Sequence, residues 1–288
     1  MLSPVFILGN PRSGTTLLRL MLNNHRNIVV PPEGGFAVWF YEKYKNLTID
    51  ERVIKDYVLD ISAAKKMETW NINYDQLTDY LLMSAPHTYS SLVSDVYAFY
   101  GQMIGKNSSR WGDKNNFYIH HIDTLNEIFP SAYLLHIIRD GRDVACSYKR
   151  LHELNIKSKY VPRLPSQITS IAAEWSSNIK EIRASFQKND WRNVLEIKYE
   201  DLVSQPVNEL KRVCDFLGES YDAEMENYFL RNKLEQQEPV EFLKWKAKTI
   251  ERPTTSEVGK YKVELTETEI QSFESIAGSL LRIYNYID

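Results

Sequence analysis

The sequence has little of what marks most specialised protein classes. Its 288 residues hold only two cysteines, Cys146 and Cys214, far apart and with no C-x-x-C or histidine-rich companion. That pattern argues against a disulfide framework and offers no metal-ligand spacing, so we expect no metal and a reducing compartment. There is no run of about 18 apolar residues to span a bilayer. The first strand-like stretch, Val5–Leu8, begins too near Met1 to leave room for a signal peptide, which points to a cytoplasmic protein. Charge of one sign is lacking too: 35 basic residues face 38 acidic ones, for a formal net charge of −3. A chain this balanced lacks the whole-molecule field of nucleic-acid or membrane-surface binders, so any anion must be held by local groups. Internal repeats and low-complexity tracts are absent. What is there, 43% hydrophobic residues over this length, suffices for a full globular core.

Short apolar runs alternate with amphipathic stretches, the pattern of an α/β fold with a parallel sheet flanked by helices. Val5–Leu8 reads as a buried strand, Gly9 to Gly14 as a loop, and Thr15–Asn24 as a helix with Leu17, Leu18, Met21 and Leu22 on one face. Ile28–Val30 is a second short strand, stopped by Pro31 and Pro32. From Phe36 to about Tyr100 the pattern turns helical and aromatic. We take 36–110 as a helical insertion, capping the acceptor side, within one domain spanning 1–288. Tyr133–Ile138 is a third strand, running into Arg139 and a helix to about Arg150. Val194–Ile197 is a fourth, running into Tyr199. Lys157–Gln167 and Glu235–Tyr261 read as long loops, the second a candidate lid. Leu265–Tyr286 returns to helix, with Thr266 and Glu269 spaced as a capping box.

The segment Gly9-Asn10-Pro11-Arg12-Ser13-Gly14-Thr15-Thr16 has the glycine spacing of a nucleotide-binding P-loop, directly after a strand and before a helix. Glycine lets the backbone approach an anion, successive N–H groups point inward, and the helix N-terminus adds about half a positive charge. Yet Thr15 stands where a triphosphatase places lysine, and the nearest fixed cation is Arg12 inside the loop. Such a loop suits a compact terminal phosphate better than a magnesium-bound triphosphate.

Pro11 to Leu18 resembles the 5′-phosphosulfate-binding loop of sulfotransferases that use 3′-phosphoadenosine-5′-phosphosulfate (PAPS), the bacterial and tyrosylprotein-type branch above all. The resemblance continues through Gly112-Asp113-Lys114-Asn115, Ile138 to Val144 with Ser147, Tyr199-Glu200-Asp201-Leu202-Val203 and Gly259-Lys260-Tyr261, and so covers nearly the whole chain in order, apart from the insertion. It implies a P-loop-type fold and transfer of the sulfuryl group of PAPS to a hydroxyl by in-line displacement, leaving adenosine 3′,5′-bisphosphate and requiring no metal. It further implies that Arg12, Ser13, Gly14, Thr15 and Thr16 hold the 5′ end of PAPS. Arg139 and Ser147 would bind its 3′-phosphate, near the carboxyl edge of the sheet where ligands of open α/β folds lie. Tyr199 would pack by the adenine and Lys260 assist a phosphate. Glu33 would be the general base, with Lys114 and Arg12 neutralising charge on the leaving oxygen.

Alternatives stay open at this stage. His120 and His121 are rival bases, on a stretch reading as helix. Lys114 falls in a polar turn, where a lysine is usually solvated. Cys146 suits packing better than chemistry. Phe36, Trp39, Phe40 and Tyr44 form an aromatic stripe, by default core; if it lines the cleft, an apolar or ring-bearing acceptor is favoured. The expected acceptor is a small molecule or carbohydrate, with no nucleic acid and no membrane span; its identity and the oligomeric state are not fixed. A P-loop kinase of small molecules or nucleotides, and a non-catalytic nucleotide-binding protein, are the competing readings.

Overall fold

The computed structural model describes residues 2–288. Five strands form one parallel sheet: β1 (Val5–Leu8), β2 (Ile28–Val29), β3 (Arg110–Lys114), β4 (Tyr133–Ile138) and β5 (Val194–Lys198), in the order β2-β3-β1-β4-β5. Every residue of β1 is buried, as a central parallel strand covered on both faces requires. Successive side chains of β1 serve opposite faces. Val5 and Ile7 pack with Leu18, Leu22, Ile137 and Leu210 on one face. Phe6 and Leu8 pack with Phe36, Tyr97, Trp111 and Leu134 on the other.

The second face is therefore covered by the helices of the 36–110 segment, chiefly Glu51–Ala63, Tyr74–Ser84 and Tyr89–Met103. All four expected strands agree to within a residue at either end, and the helix after β1 runs Thr15–Asn23. The capping box forms as expected, Thr266 Oγ1 accepting from Glu269 N at 3.2 Å and Glu269 Oε2 from Thr266 N at 2.9 Å.

Two expectations need correction. The polar stretch around Gly112 is not a turn but β3, all five residues of it buried between β1 and β2. Its polar groups find partners there. Arg110 donates to the Leu217 carbonyl at 2.8 Å, and Asp113 accepts from Tyr97 Oη at 2.7 Å and Tyr118 Oη at 2.5 Å. The second correction is at 235–261, which is not an unstructured loop: it carries the helix Val240–Lys246 and 3₁₀ turns at Ala247–Ile250 and Thr255–Glu257. Residues 157–167 hold no helix or strand. Among the described residues, no helix is long and apolar enough to cross a membrane.

Candidate functional site

The carboxyl ends of all five strands converge on one cleft of about 820 Å³. β1 delivers the Gly9–Gly14 loop, β2 leads through Pro31 and Pro32 to Glu33, β3 ends on Lys114, β4 on Arg139 and β5 on Tyr199. A parallel sheet aims all its strand ends one way, so residues distant in sequence meet at one edge.

The loop is held open by its own geometry. Arg12 and Gly14 both take left-handed backbone conformations, φ 69° and 96°, the alternation by which successive N–H groups form an anion-binding concavity. Gly14 also cannot carry a side chain, because a Cβ there would lie 2.5 Å from the ring of Tyr199. At the loop's start Asn10 is fixed to two helices. It donates to Tyr148 Oη at 3.0 Å and accepts from Asn178 Nδ2 at 2.6 Å. The buried Ser13 hydroxyl and the Arg139 Nε have no partner among the described residues. Unsatisfied buried donors are rare, and a phosphate oxygen is a fitting acceptor for both.

The two expected anion sockets touch. Arg12 Nε donates to Ser147 Oγ at 3.0 Å, and Arg139 donates to the Arg12 carbonyl at 3.1 Å while its guanidinium stacks on Tyr199, 4.5 Å from the ring centroid. Burial first, and Arg139 second, push the Arg12 pKa down to about 10, which leaves it charged at neutral pH. Ser147 lies in the helix Gly141–Glu153, whose first-turn Asp143 accepts from Gly259 N at 2.7 Å and Tyr261 N at 2.9 Å and so docks the 257–261 segment beside the socket. Lys260 does not line the cleft. It reaches it through Glu257, to which it donates at 2.8 Å.

Glu33 sits among three lysines. Lys114 and Lys66 donate to its two oxygens, and the Lys246 Nζ lies 3.6 Å away. Burial alone would raise the Glu33 pKa, but Lys114, Lys246 and Lys66 outweigh it and hold the carboxyl well below its ordinary range. Burial lowers the Lys114 pKa to about 8. Behind them Lys246 also pairs with buried Glu238, which is bound in turn by Arg19 at 2.6 Å from the helix Thr15–Asn23.

The histidines stand apart from this constellation. His120 is exposed and 2.8 Å from Glu181, His121 stacks on Phe117 at 4.1 Å, and neither lines the cleft. Cys146 is packed in the core of its helix. The aromatic stripe does not line the cleft either: Phe36 and Tyr44 are buried core, and Trp39, half-exposed, lies against Phe117. Sequence reading missed Lys66, Lys246, Glu238 and Glu257. Glu33, which Lys66 and Lys246 approach, and Arg19, which binds Glu238, are remote in sequence, and the one available signal was the alternation Lys244, Lys246, Lys248 in the presumed loop. No group of three or more His, Cys, Asp or Glu side chains among the described residues is arranged to hold a metal.

Known proteins resemble much of this chain in sequence. A family model described as "Sulfotransferase family" matches residues 4–223. Protein-tyrosine sulfotransferase A of Caenorhabditis elegans is 26% identical over 220 residues, 76% of this chain and 50% of the relative. The omega-hydroxy-beta-dihydromenaquinone-9 sulfotransferase of Mycobacterium bovis is 23% identical over 243 residues, 75% of this chain and 62% of the relative. The chain thus spans between half and two thirds of the length of these relatives. Among solved structures, the sulfotransferase domain of the Synechococcus PCC 7002 olefin synthase superposes with a TM-score of 0.58 at 23% identity, covering 95% of this chain and 94% of that one. The sulfotransferase domain of the curacin biosynthetic pathway gives 0.59 at 21% identity, covering 96% and 97%. These structural likenesses bear on the fold.

Proposed function

Since the chain belongs to the sulfotransferase family, whose model matches residues 4–223, we propose that it moves the sulfuryl group of PAPS to the hydroxyl of a small-molecule or carbohydrate acceptor. The observation that carries this reading is the pair of adjoining anion sockets, joined by the Arg12–Ser147 and Arg139–Arg12 hydrogen bonds, with the Glu33–Lys114 pair opening onto the same cleft. PAPS supplies the activated sulfuryl group. The loop 12–16 receives its 5′ end, and Arg139 and Ser147 its 3′-phosphate, with Tyr199 beside the base.

Glu33 takes the proton of the acceptor hydroxyl as the oxygen bonds to sulfur. The electron pair of the breaking S–O bond passes to the phosphate oxygen, which Lys114 and Arg12 neutralise. Two anions thus compete for Lys114, the Glu33 carboxylate and the developing phosphate. Each step it takes toward the phosphate frees basicity on Glu33 at the moment a base is needed. The 36–110 segment, most of which packs on the sheet, meets the acceptor side of the cleft through Lys65 and Lys66, the latter reaching Glu33.

Titration calorimetry with adenosine 3′,5′-bisphosphate, against ATP with magnesium, is the direct test. Glu33→Gln should retain bisphosphate binding and lose transfer by about 100-fold or more, whereas Arg139→Ala should weaken the bisphosphate about 10-fold or more. A preference for ATP overturns the reading in favour of a kinase. Equal loss of bisphosphate affinity in both variants overturns the division of labour.

A further inference from the structure

We propose that the acceptor is itself an anion: a small hydroxyl compound bearing a carboxylate or sulfate, such as an acidic sugar or a phenolic acid. The inference rests on the sulfotransferase reading and goes beyond it in naming the acceptor's charge.

Twelve lysines and arginines line the cleft against three glutamates, Glu33, Glu251 and Glu257, in a chain whose net charge is −3. PAPS brings about four negative charges, two of them on the 3′-phosphate. Three further carboxylates behind the lining, Glu68, Glu238 and Glu264, already meet Lys159, Lys246 and Arg150, so roughly two lining cations stay in excess in a concave site, where like charges repel and their field is focused. An anionic second ligand removes the imbalance.

The placement of the surplus gives the location. Lys65, from the insertion, Arg163, from the 157–167 loop, and Lys244 and Arg252, from the 240–254 segment, all line the cleft exposed to solvent and have no carboxylate partner among the described residues. Three separate segments each turn an unpaired cation to the same opening. The other cations are engaged: Lys66 and Lys246 with Glu33, Lys248 with Glu257, Lys159 with Glu68.

Beneath this rim lies a small aromatic cluster. Tyr160 and Phe242 have ring centroids 5.2 Å apart, Phe242 and Trp245 5.4 Å, and the Lys246 and Lys66 ammoniums stand 4.9 and 6.0 Å from the Phe242 centroid. An apolar floor with a cationic rim fits a flat or ring-shaped body that carries an acidic group. The cleft, about 820 Å³, is near the top of the range of about 300–1,000 Å³ that holds drug-sized ligands. It has room for PAPS and a compact acceptor, not for a long polymer buried end to end.

The test uses the full chain with radiolabelled PAPS and matched acceptors: glucuronate against glucose, and 4-hydroxybenzoate against 4-hydroxybenzyl alcohol. A low-mass cell extract is offered in parallel, split beforehand on an anion exchanger into retained and unretained fractions. We expect label in the anionic partner of a pair or in the retained fraction. The double variant Lys65→Glu/Lys244→Glu should then raise the acceptor KM about 10-fold, each exposed pair being worth up to about five-fold, while its kcat and its affinity for adenosine 3′,5′-bisphosphate hold. Transfer to neutral members or to the unretained fraction, or only to an added acidic tyrosine peptide, overturns the inference and leaves the sulfotransferase reading standing. Transfer to none of them, with the bisphosphate bound, overturns the inference as well. Failure to bind the bisphosphate overturns the sulfotransferase reading beneath it.

Discussion

At φ 69° the Arg12 backbone occupies the left-handed region, where a side chain costs about 1–2 kcal/mol. The fold accepts that cost to place a guanidinium inside the loop, bonded to Ser147 and carrying Arg139 on its carbonyl. Arg12→Gly separates the two contributions. Glycine relieves the backbone but is looser in the unfolded chain, so urea unfolding should give a stability within about 1 kcal/mol of the parent. Transfer, in contrast, should fall about 100-fold or more, as for a lost oxyanion contact. A variant that unfolds much more easily would make Arg12 chiefly a structural tie. At Glu33 the sign of a pH effect can be worked out. Three lysines hold its pKa below the ordinary range, so removing one must raise it. Lys66→Met should move the acid limb of the kcat/KM profile to higher pH. An unmoved limb would mean that the base is another group.

The elements differ in how openly the sequence announces them. β1 and β4 are legible because a strand buried on both faces reads as an unbroken or nearly unbroken apolar run, β2 and the half-buried edge strand β5 because short apolar stretches lead into prolines and into Tyr199, and Arg12, Glu33, Arg139 and Tyr199 become legible with them, each standing just past a strand's end. β3 is not legible. Arg110, Gly112, Asp113 and Lys114 look like a turn until Leu217, Tyr97 and Glu33 supply the partners that make their burial affordable. Glu238 and Lys246 are hidden for the same reason: nothing near them in sequence reveals that Arg19 and Glu33 lie opposite. Lys106 is another element-scale contact without a local signature. From just beyond the helix Tyr89–Met103 its Nζ donates to the carbonyls of Asn23 at 2.5 Å, His25 at 2.8 Å and Ile28, closing the end of the helix Thr15–Asn23 onto β2. Lys106→Met leaves those carbonyls short of a donor and should cost about 2–3 kcal/mol in denaturant unfolding. A loss under about 0.5 kcal/mol, the level of an ordinary surface substitution, would show that water replaces it.

Across the whole molecule, the near-neutral composition conceals a strongly polarised interior surface. Positive charge is gathered where the strands end, and the acidic surplus lies elsewhere, so a residue count gave no warning of the cationic cleft. Within that cleft Glu257 lies among Arg139 at 3.9 Å, Arg150 at 3.6 Å, Lys260 at 2.8 Å and Lys248. Burial would raise its pKa, but Lys248 and Lys260 bring it down to about 2, so it stays ionised at any working pH. Under the proposed function, a resident carboxylate among the cations assigned to the phosphates makes nucleotide binding an exchange of counter-ions, in which the incoming phosphate must displace Glu257 from part of its shell. Glu257→Gln should then tighten adenosine 3′,5′-bisphosphate about five-fold and slow its dissociation, both readable by stopped-flow displacement. Unchanged dissociation would count against the exchange. By the same exchange, the parent protein's carboxylate would reclaim its cations as the spent nucleotide departs, so that product release is assisted by an anion that never leaves the chain.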